Sequence, residues 1–450
     1  MTPRHSAPNQ IWLGVSSFLG EMSMERTLVK DLPRHLKEEV LIKGWVERIR
    51  ELSTVTFLIL RDRIGRVQVA ADPGLFAQSR ISTESVVEMR GTVTPEPRAK
   101  AGYEVIAERI TVLAHAENLP ISINGPDLQV PPDLILDNRV LSLRHARINP
   151  IFKIQAALVH GFQTFLNQEG FVQVFTPKIV ASGTEGGSEL FSVQYFEEKA
   201  YLCQSPQFYK QMLVGSGYER VYEVGHVYRA EKHATSRHLN EYVSLDLGMG
   251  FIDSEHDIME LENRLLAYML AYVAEQCPQE LEALGVSLPE VPSIPKIPLA
   301  EALAVLEREY GKRMETQDLD PEGERLLSQY VKERTGSEFV FVTDYPWEKR
   351  PMYTMPKAGG LTCSFDLLFR GLEITTGGQR IHTYDLLTEN IRRKGLDPNA
   401  FAFYVRNFAF GIPPHGGLAI GLERFTAQLL GLANVRQASL FPRDRHRLMP

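Results

Sequence analysis

Between Val40 and Val112, apolar and polar positions alternate in five short runs: VLIKGWVERI, TVTFLILRD, GRVQVAAD, SVVEMRGTVT and YEVIAERITVL. Gly65, Pro73-Gly74, Gly91 and Gly102 cut them apart. Period-two alternation between glycine breaks predicts β-strands. Five strands in about 75 residues suit a small barrel of the OB type, whose strands and loops bind single-stranded nucleic acid. Arg50, Phe57 and Gln68 fall on neighbouring strands. Phe57 reads either as a base-stacking platform, with Arg50 and Gln68 as edge or phosphate contacts, or as core.

The pattern then changes. Leu119–Pro132 is rich in proline and reads as a linker, and Asp133–Arg147 is helix-like. Ile151–Glu169 carries apolar residues at helical spacing up to Gly170, and Phe171–Thr176 reads as a strand broken by Pro177. Thr184–Phe191 (TEGGSELF) is a glycine-containing loop. In YLCQSPQFYKQ, Pro206 starts a helix that sets Gln207 and Lys210 one turn apart. Lys210 is then either salt-bridged or an anion ligand. Two alternating apolar flanks enclose the charged stretch Val227–Leu247, VYRAEKHATSRHLNEYVSLDL, predicting two antiparallel strands joined by a polar loop. That loop reads as a polyanion grip or as a surface hairpin with solvated charges.

Further on, His256–Glu275 and Leu299–Tyr310 are predicted helices and Glu338–Thr343 a strand, with 276–336 expected to be a peripheral insertion. Phe365–Phe369 and Gly371–Thr375 are strand-like. Glu373 with Thr375 and Thr376 sits at the expected strand end, a carboxylate and hydroxyls that suit Mg²⁺, which takes one or two carboxylates plus phosphate oxygens and water. Gly411–Arg424 runs from a Gly/Pro turn into a strand, with Gly421 and Arg424 opening a helix. Glycine allows close approach to the backbone, and an arginine there can lie over an adenine. Neither GxxxxGK[ST] nor GxGxxG occurs, which excludes the P-loop and Rossmann routes to a nucleotide site.

Composition changes the picture little. The 450 residues are 44% hydrophobic and 23% charged, with a formal charge of −7, so a nucleic-acid partner must be held by local patches. Met24–His115 carries 15 Lys and Arg against 13 Asp and Glu, pointing to the barrel for polyanion contact. Cys203, Cys277 and Cys363 are widely spaced and odd in number, which suits a reducing cytoplasm. The apolar run Ile11–Leu19 is too short to span a bilayer, so no membrane attachment is expected. Residues 1–23 read as a disordered extension or an overlong start.

Three stretches, taken together and in order, resemble the signature motifs of class II aminoacyl-tRNA synthetases: Phe171–Pro177 motif 1, Tyr228–Tyr242 with its Arg-x-Glu motif 2, and GLAIGLER motif 3. TEGGSELF, QSPQFYKQ, RHLNEY, EITTGGQRIH and SLFPRDRHRLMP are more closely similar to aspartyl-tRNA synthetases of the compact, archaeal type, because the span between Arg380 and Arg424 leaves no room for a large inserted domain. The resemblance implies an α+β chain. An N-terminal OB-fold barrel (24–118) would bind the anticodon through Arg50, Phe57 and Gln68. A linker (119–132) would lead to a class II catalytic domain (133–450), an antiparallel sheet flanked by helices.

The same resemblance implies ATP and Mg²⁺, L-aspartate and tRNA(Asp), with tRNA(Asn) left open, and a homodimer built around Pro177. Arg229 and Arg424 would be catalytic. ATP would be bound by Arg229, Ala230, Glu231, Arg237, His238, Leu239, Tyr242, Glu373 and the Gly421-Leu422-Glu423-Arg424 turn, with adenine between Tyr242 and Arg424. Glu373 and Thr376 would hold the metal. Aspartate would meet Glu185, Gln207, Lys210, Arg229, Thr376 and Arg380, of which Glu185 takes the ammonium and Lys210 and Arg380 the side chain. A neutral amide would leave two cations under-compensated, so Lys210, with Asp444 in FPRD, favours aspartate over the rival asparagine ligase. Gly248 departs from the pattern where a second glutamate is usual, as do Thr376 and Ala419 where serine and glycine are common. The Gly248 departure leaves a tRNA-binding paralogue without catalysis as a further alternative.

Overall fold

The computed structural model describes residues 24–449 except 185–188, 233–234 and 315, so the expectations for 1–23 and for Glu185 lie outside the described residues. The chain divides into two compact units, Met1–Gly125 and Pro126–Pro450, a boundary inside the expected linker.

In the first unit β1 (Glu39–Glu51), β2 (Thr56–Arg61), β3 (Arg66–Ala71), β4 (Val86–Pro95) and β5 (Tyr103–Ala114) close into a barrel in the order β1-β2-β3-β5-β4, with α1 (Pro73–Ser79) between β3 and β4. Asp72 caps α1, accepting from the Gly74 and Leu75 N–H groups. Strict alternation along β2 sends Leu58 and Leu60 into the core and leaves Phe57 half-buried on the outer face, outside the core cluster. Phe57 faces Arg50 on β1, and Gln68 points outward two positions from Phe57's β3 neighbour Ala70. The three expected anticodon residues therefore share one surface.

In the second unit the helix-like 133–147 stretch is broken at Asn138 into α2 (Pro132–Asp137) and α3 (Arg139–Ser142), before the long α4 (Asn149–Gln168). Gly170, at φ +79°, lets the chain turn back after α4. The strand expected over Phe171–Thr176 shrinks to β6 (Val172–Gln173), because only Val221 and Tyr222 offer it a pairing edge. A small sheet of β7 (Ile179–Val180), β8 (Ser192–Tyr195) and β9 (Glu198–Leu202) follows, then α5 (Gln207–Leu213) and the predicted pair β10 (Arg220–Tyr228) and β11 (Glu241–Gly250). Next come α6 (Glu255–Gln276), α7 (Pro278–Leu284), β12 (Lys296–Pro298), α8 (Leu299–Tyr310), α9 (Pro321–Thr335) and β13 (Phe339–Thr343). A short ribbon of β14 (Pro356–Lys357) and β15 (Leu361–Thr362) precedes β16 (Ser364–Phe369) and β17 (Leu372–Arg380). The chain continues through α10 (Tyr384–Arg393), α11 (Ala402–Val405), β18 (His415–Gly421) and α12 (Leu422–Leu430).

Eight strands form one sheet in the order β12-β13-β16-β17-β18-β11-β10-β6, antiparallel except at its two parallel edge pairs. Alternation divides its faces. Leu245, Leu247, Phe365, Leu367, Leu418 and Ile420 point into a core shared with α4, α6 and α12. Their neighbours Ser244, Asp246, Asp366 and Ala419 point the other way.

Two expectations are corrected. The 276–336 segment is not peripheral: β12 joins the main sheet, and α8 and α9 pack Leu306, Leu327 and Val331 on Val340, Val342 and Leu368. The strand expected to end at Thr375 also runs on: β17 continues through Gly377-Gly378 to Arg380, so Thr375 and Thr376 lie mid-strand and Glu373 is its second residue. Glycine is required at Gly377 because a Cβ would lie 2.4 Å from the Phe365 ring.

Candidate active site

On the open face of the sheet lies a cavity of about 360 Å³ with six Lys or Arg side chains on its wall (Arg229, Arg237, Lys349, Arg350, Arg380, Arg424) against three carboxylates (Glu231, Glu373, Glu423). That imbalance suits a polyanion.

The loop between β10 and β11 is stapled by a residue the sequence reading passed over. Buried Asn240 donates from Nδ2 to the carbonyls of Arg229 (2.7 Å) and Glu231 (3.2 Å), and the Arg229 N–H returns a bond to Asn240 O at 2.9 Å. Beyond it Thr235 Oγ1 meets His238 Nδ1 at 2.6 Å, and His238 Nε2 lies 3.3 Å from Glu231. The Arg229 guanidinium sits 5.9 Å from the Tyr242 ring centroid, with Leu239 beside them on the wall. Burial raises the Tyr242 phenol, which stays neutral.

On β17, Glu373 and Thr376 are three residues apart and would face opposite sides of a regular strand. Leu367 pairs with Thr375 but Leu368 with Glu373, so Ile374 is one residue too many. This bulge turns both side chains to the cavity, where Thr376 Oγ1 donates to Glu373 Oε1 at 3.2 Å. Arg424, from the first turn of α12, donates from Nη1 to Glu373 O and from Nε to Arg237 O, both at 3.3 Å. Burial raises the Glu373 carboxyl and the charge of Asp366 adds to it, while Arg424 and Arg350 oppose. Asp366, a charge in the otherwise apolar FDLLF run, was missed. Its Oδ2 accepts from Arg350 Nη2 at 2.7 Å, and its buried Oδ1 accepts no hydrogen bond among the described residues. Two crowded carboxyls, one with an orphaned oxygen, fit a hard cation that completes its shell with phosphate oxygens and water. No cluster of three metal-ligating side chains occurs among the described residues.

Three expected ATP contacts sit differently. Leu422 packs in the core and Ala230 is off the cavity wall, its N–H donating to Glu189 O at 2.8 Å. Gly421 and Glu423 line the wall, but both Glu423 oxygens accept from the Val243 N–H at 3.1 Å, pinning α12 to β11. Burial pushes that carboxyl up to about 7, partly offset by the same N–H.

At the other end Arg380, 6% exposed, lies 5.2 Å from the Tyr353 ring centroid, and Gln207 lines the wall. Lys210 does not line it. Its ammonium donates to Asp246 Oδ1 (2.6 Å) and to the carbonyls of Leu247 (3.2 Å) and Leu418 (3.1 Å). Burial lowers its pKa, Asp246 opposes, and nearby Arg380 lowers it further. Of the two cations expected to meet a substrate carboxylate, Arg380 is at the wall and Lys210 behind it. Gln207 belongs to a buried chain: its Nε2 donates to Gln211 Oε1 (3.0 Å), Tyr404 donates to the same oxygen (2.9 Å), and Gln211 Nε2 meets His415 Nε2 (2.8 Å). Gly248 faces Lys210, and a Cβ there would be at ordinary contact, 3.5 Å from Lys210 Cβ, so steric crowding does not explain the glycine.

The family described as tRNA synthetases class II (D, K and N) matches residues 131–445, and an OB-fold nucleic acid binding domain matches 40–113. The chain belongs to the class II tRNA synthetases. This synthetase is 50% identical over 427 residues to an aspartate–tRNA(Asp/Asn) ligase of Thermus thermophilus, covering 94% of this chain and all of that one. It is 42% identical to an aspartate–tRNA(Asp) ligase of Pyrococcus abyssi, covering 92% and 96%. The solved asparaginyl-tRNA synthetase of Pyrococcus horikoshii with asparaginyl-adenylate superposes with a TM-score of 0.89 at 31% identity, covering 95% and 100%. The enzyme's described helices include none long and apolar enough to cross a membrane.

Proposed function

We propose that the enzyme is an aspartate–tRNA ligase. ATP and L-aspartate form aspartyl-adenylate with release of pyrophosphate, and the aspartyl group passes to a terminal ribose hydroxyl of tRNA(Asp) as its bond to AMP breaks and AMP leaves, with tRNA(Asn) as a second acceptor. The observation that carries the reading is that one cavity is lined by Arg229, Tyr242, Glu373 and Arg424 together with buried Arg380. Higher identity to the Thermus relative, whose name covers both acceptors, than to the Pyrococcus abyssi one supports the second tRNA.

The reaction needs charge stabilisation more than proton transfer. As an oxygen of the aspartate α-carboxylate attacks the α-phosphorus and the bond to pyrophosphate breaks, negative charge builds on the phosphate, and Arg229 is fixed there beforehand. Adenine lies between the Tyr242 ring and the Arg424 guanidinium, with Glu231, Arg237 and His238 toward the phosphates. Mg²⁺, held by Glu373 and Thr376, would neutralise polyphosphate charge. Arg380 meets the aspartate side chain with the Lys210–Asp246 pair behind it, and Gln207 and Thr376 flank the substrate. Asparagine would leave Arg380 buried against a neutral amide.

On the barrel's outer face Arg50, Phe57 and Gln68 would meet the anticodon, and the Glu47–Thr54 stretch at the end of β1 and the Glu96–Gly102 loop would carry the choice between tRNA(Asp) and tRNA(Asn). A second copy would cover the apolar surface around Pro177, where Phe175 is 82%, Ile179 51% and Val172 43% exposed. The three free thiols suit the cytoplasm.

Aspartate-dependent ATP–pyrophosphate exchange tests the reading. Wild type should exchange with aspartate and little with asparagine, and Arg229→Ala should lose at least about 100-fold in rate. Equal exchange with asparagine would favour the asparagine ligase, and none with either amino acid the paralogue without catalysis. Charging purified tRNA(Asp) and tRNA(Asn) side by side decides the acceptors, and sedimentation velocity the dimer.

A further inference from the structure

Glu324 lies in the first turn of α9, after the Asp320 cap and Pro321, in the segment that sequence pattern alone leaves at the periphery. Its carboxylate is buried, pairs with the Arg237 guanidinium, and accepts from the Glu373 backbone N–H at 3.4 Å. Arg424 closes the circuit through its bonds to the carbonyls of Arg237 and Glu373. Four residues from four separate segments thus form a ring. Arg237, Glu373 and Arg424 line the cavity, and Glu324 stands behind them.

A long arginine on a loop has much rotamer freedom to lose when it grips a ligand. A fixed carboxylate removes that freedom in advance, and one carboxylate does not exhaust a guanidinium's five donors. We propose that Glu324 is a positioning residue for the nucleotide: it holds Arg237 at the polyphosphate end of the cavity and, through the ring, keeps Arg424 and the Glu373 backbone in register with it. This role rests on the ATP-site reading given above. Burial pushes the Glu324 carboxyl up to about 7 and Arg237 pulls against it, so each member of the pair depends on the other.

The test is aspartate-dependent ATP–pyrophosphate exchange by the full chain as wild type, Glu324→Gln, Glu324→Ala, Arg237→Ala and the Arg237→Ala/Glu324→Ala double variant. Glu324→Ala should raise KM for ATP about tenfold and leave KM for aspartate within about twofold. Glu324→Gln, which keeps an acceptor, should fall between. In the Arg237→Ala background, removing Glu324 should change KM for ATP by less than about twofold. An unmoved ATP KM, an equal rise in both KM values, or a full tenfold effect without Arg237 overturns the proposal. If Glu324→Ala does not fold, the KM split in Glu324→Gln decides. Absence of exchange by wild type rejects the ligase reading and this role together; wild-type exchange with an unmoved ATP KM in the Glu324 variants rejects the role alone.

Discussion

Lys210 Nζ lies 2.6 Å from Asp246 Oδ1, and the carbonyls of Leu247 and Leu418 take its other two protons, so the ammonium is fully spent inside the protein. Lys210→Met would strand the buried Asp246 charge and should cost about 3–5 kcal/mol of stability. Lys210→Met/Asp246→Asn should recover most of that loss. Urea unfolding of the three proteins checks it, and a double variant no more stable than Lys210→Met would contradict the pairing.

With Lys210 occupied, recognition of the substrate carboxylate is left to Arg380 in the proposed reading. Arg380→Gln should lower kcat/KM for aspartate in the exchange assay about 100-fold, the scale of a lost charge-assisted contact. The value for asparagine should change far less. A proportional fall for both amino acids would show that Arg380 supports the fold and does not choose the substrate.

Glu262, fully buried on α6, faces the back of β17 at Thr375. Burial pushes its carboxyl up to about 8; the Thr375 hydroxyl offsets a little and the charge of Asp366 adds to it. A raised folded-state pKa means full stability below the ordinary 4.5 and progressive loss as pH climbs toward 8. Glu262→Gln does not ionise. Its stability relative to wild type should therefore improve by up to about 1.4 kcal/mol per pH unit across that window and then level off. Denaturant unfolding at pH 5, 6.5 and 8 would reveal the trend, and a constant difference would rule out burial of the neutral acid.

On the barrel, Phe57→Ala should weaken tRNA binding about tenfold, as expected for loss of one stacked base. The dissociation constant by filter binding reports it directly. An unchanged constant would return Phe57 to a packing role.

Local pattern carried much of this molecule. Period-two runs gave the barrel strands and the β10–β11 pair, and the charged loop between those two strands carries much of the cavity wall. Relations between segments, near or distant, stayed hidden. That Glu373 and Thr376 face one way depends on the extra residue Ile374, visible only once β16 is laid beside β17. Asn240 reads as an ordinary loop residue until its bonds to Arg229 and Glu231 are seen. Glu324 sits in a helix with no local sign of a site, and Lys210 betrays neither Asp246 nor the two carbonyls that consume it. For Asn240 and Ile374 the pairing within one hairpin decides the role, and for Glu324 and Lys210 it is partners far apart in sequence.

β18 enters the sheet between β17 and β11, joining strands that precede it to a hairpin made much earlier in the chain. During synthesis the edges of β17 and β11 therefore lack their shared neighbour until residues 415–421 have emerged from the ribosome. Chaperone demand should peak in that interval, and a stop codon shortly before His415 would leave a sticky product, not a smaller folded one.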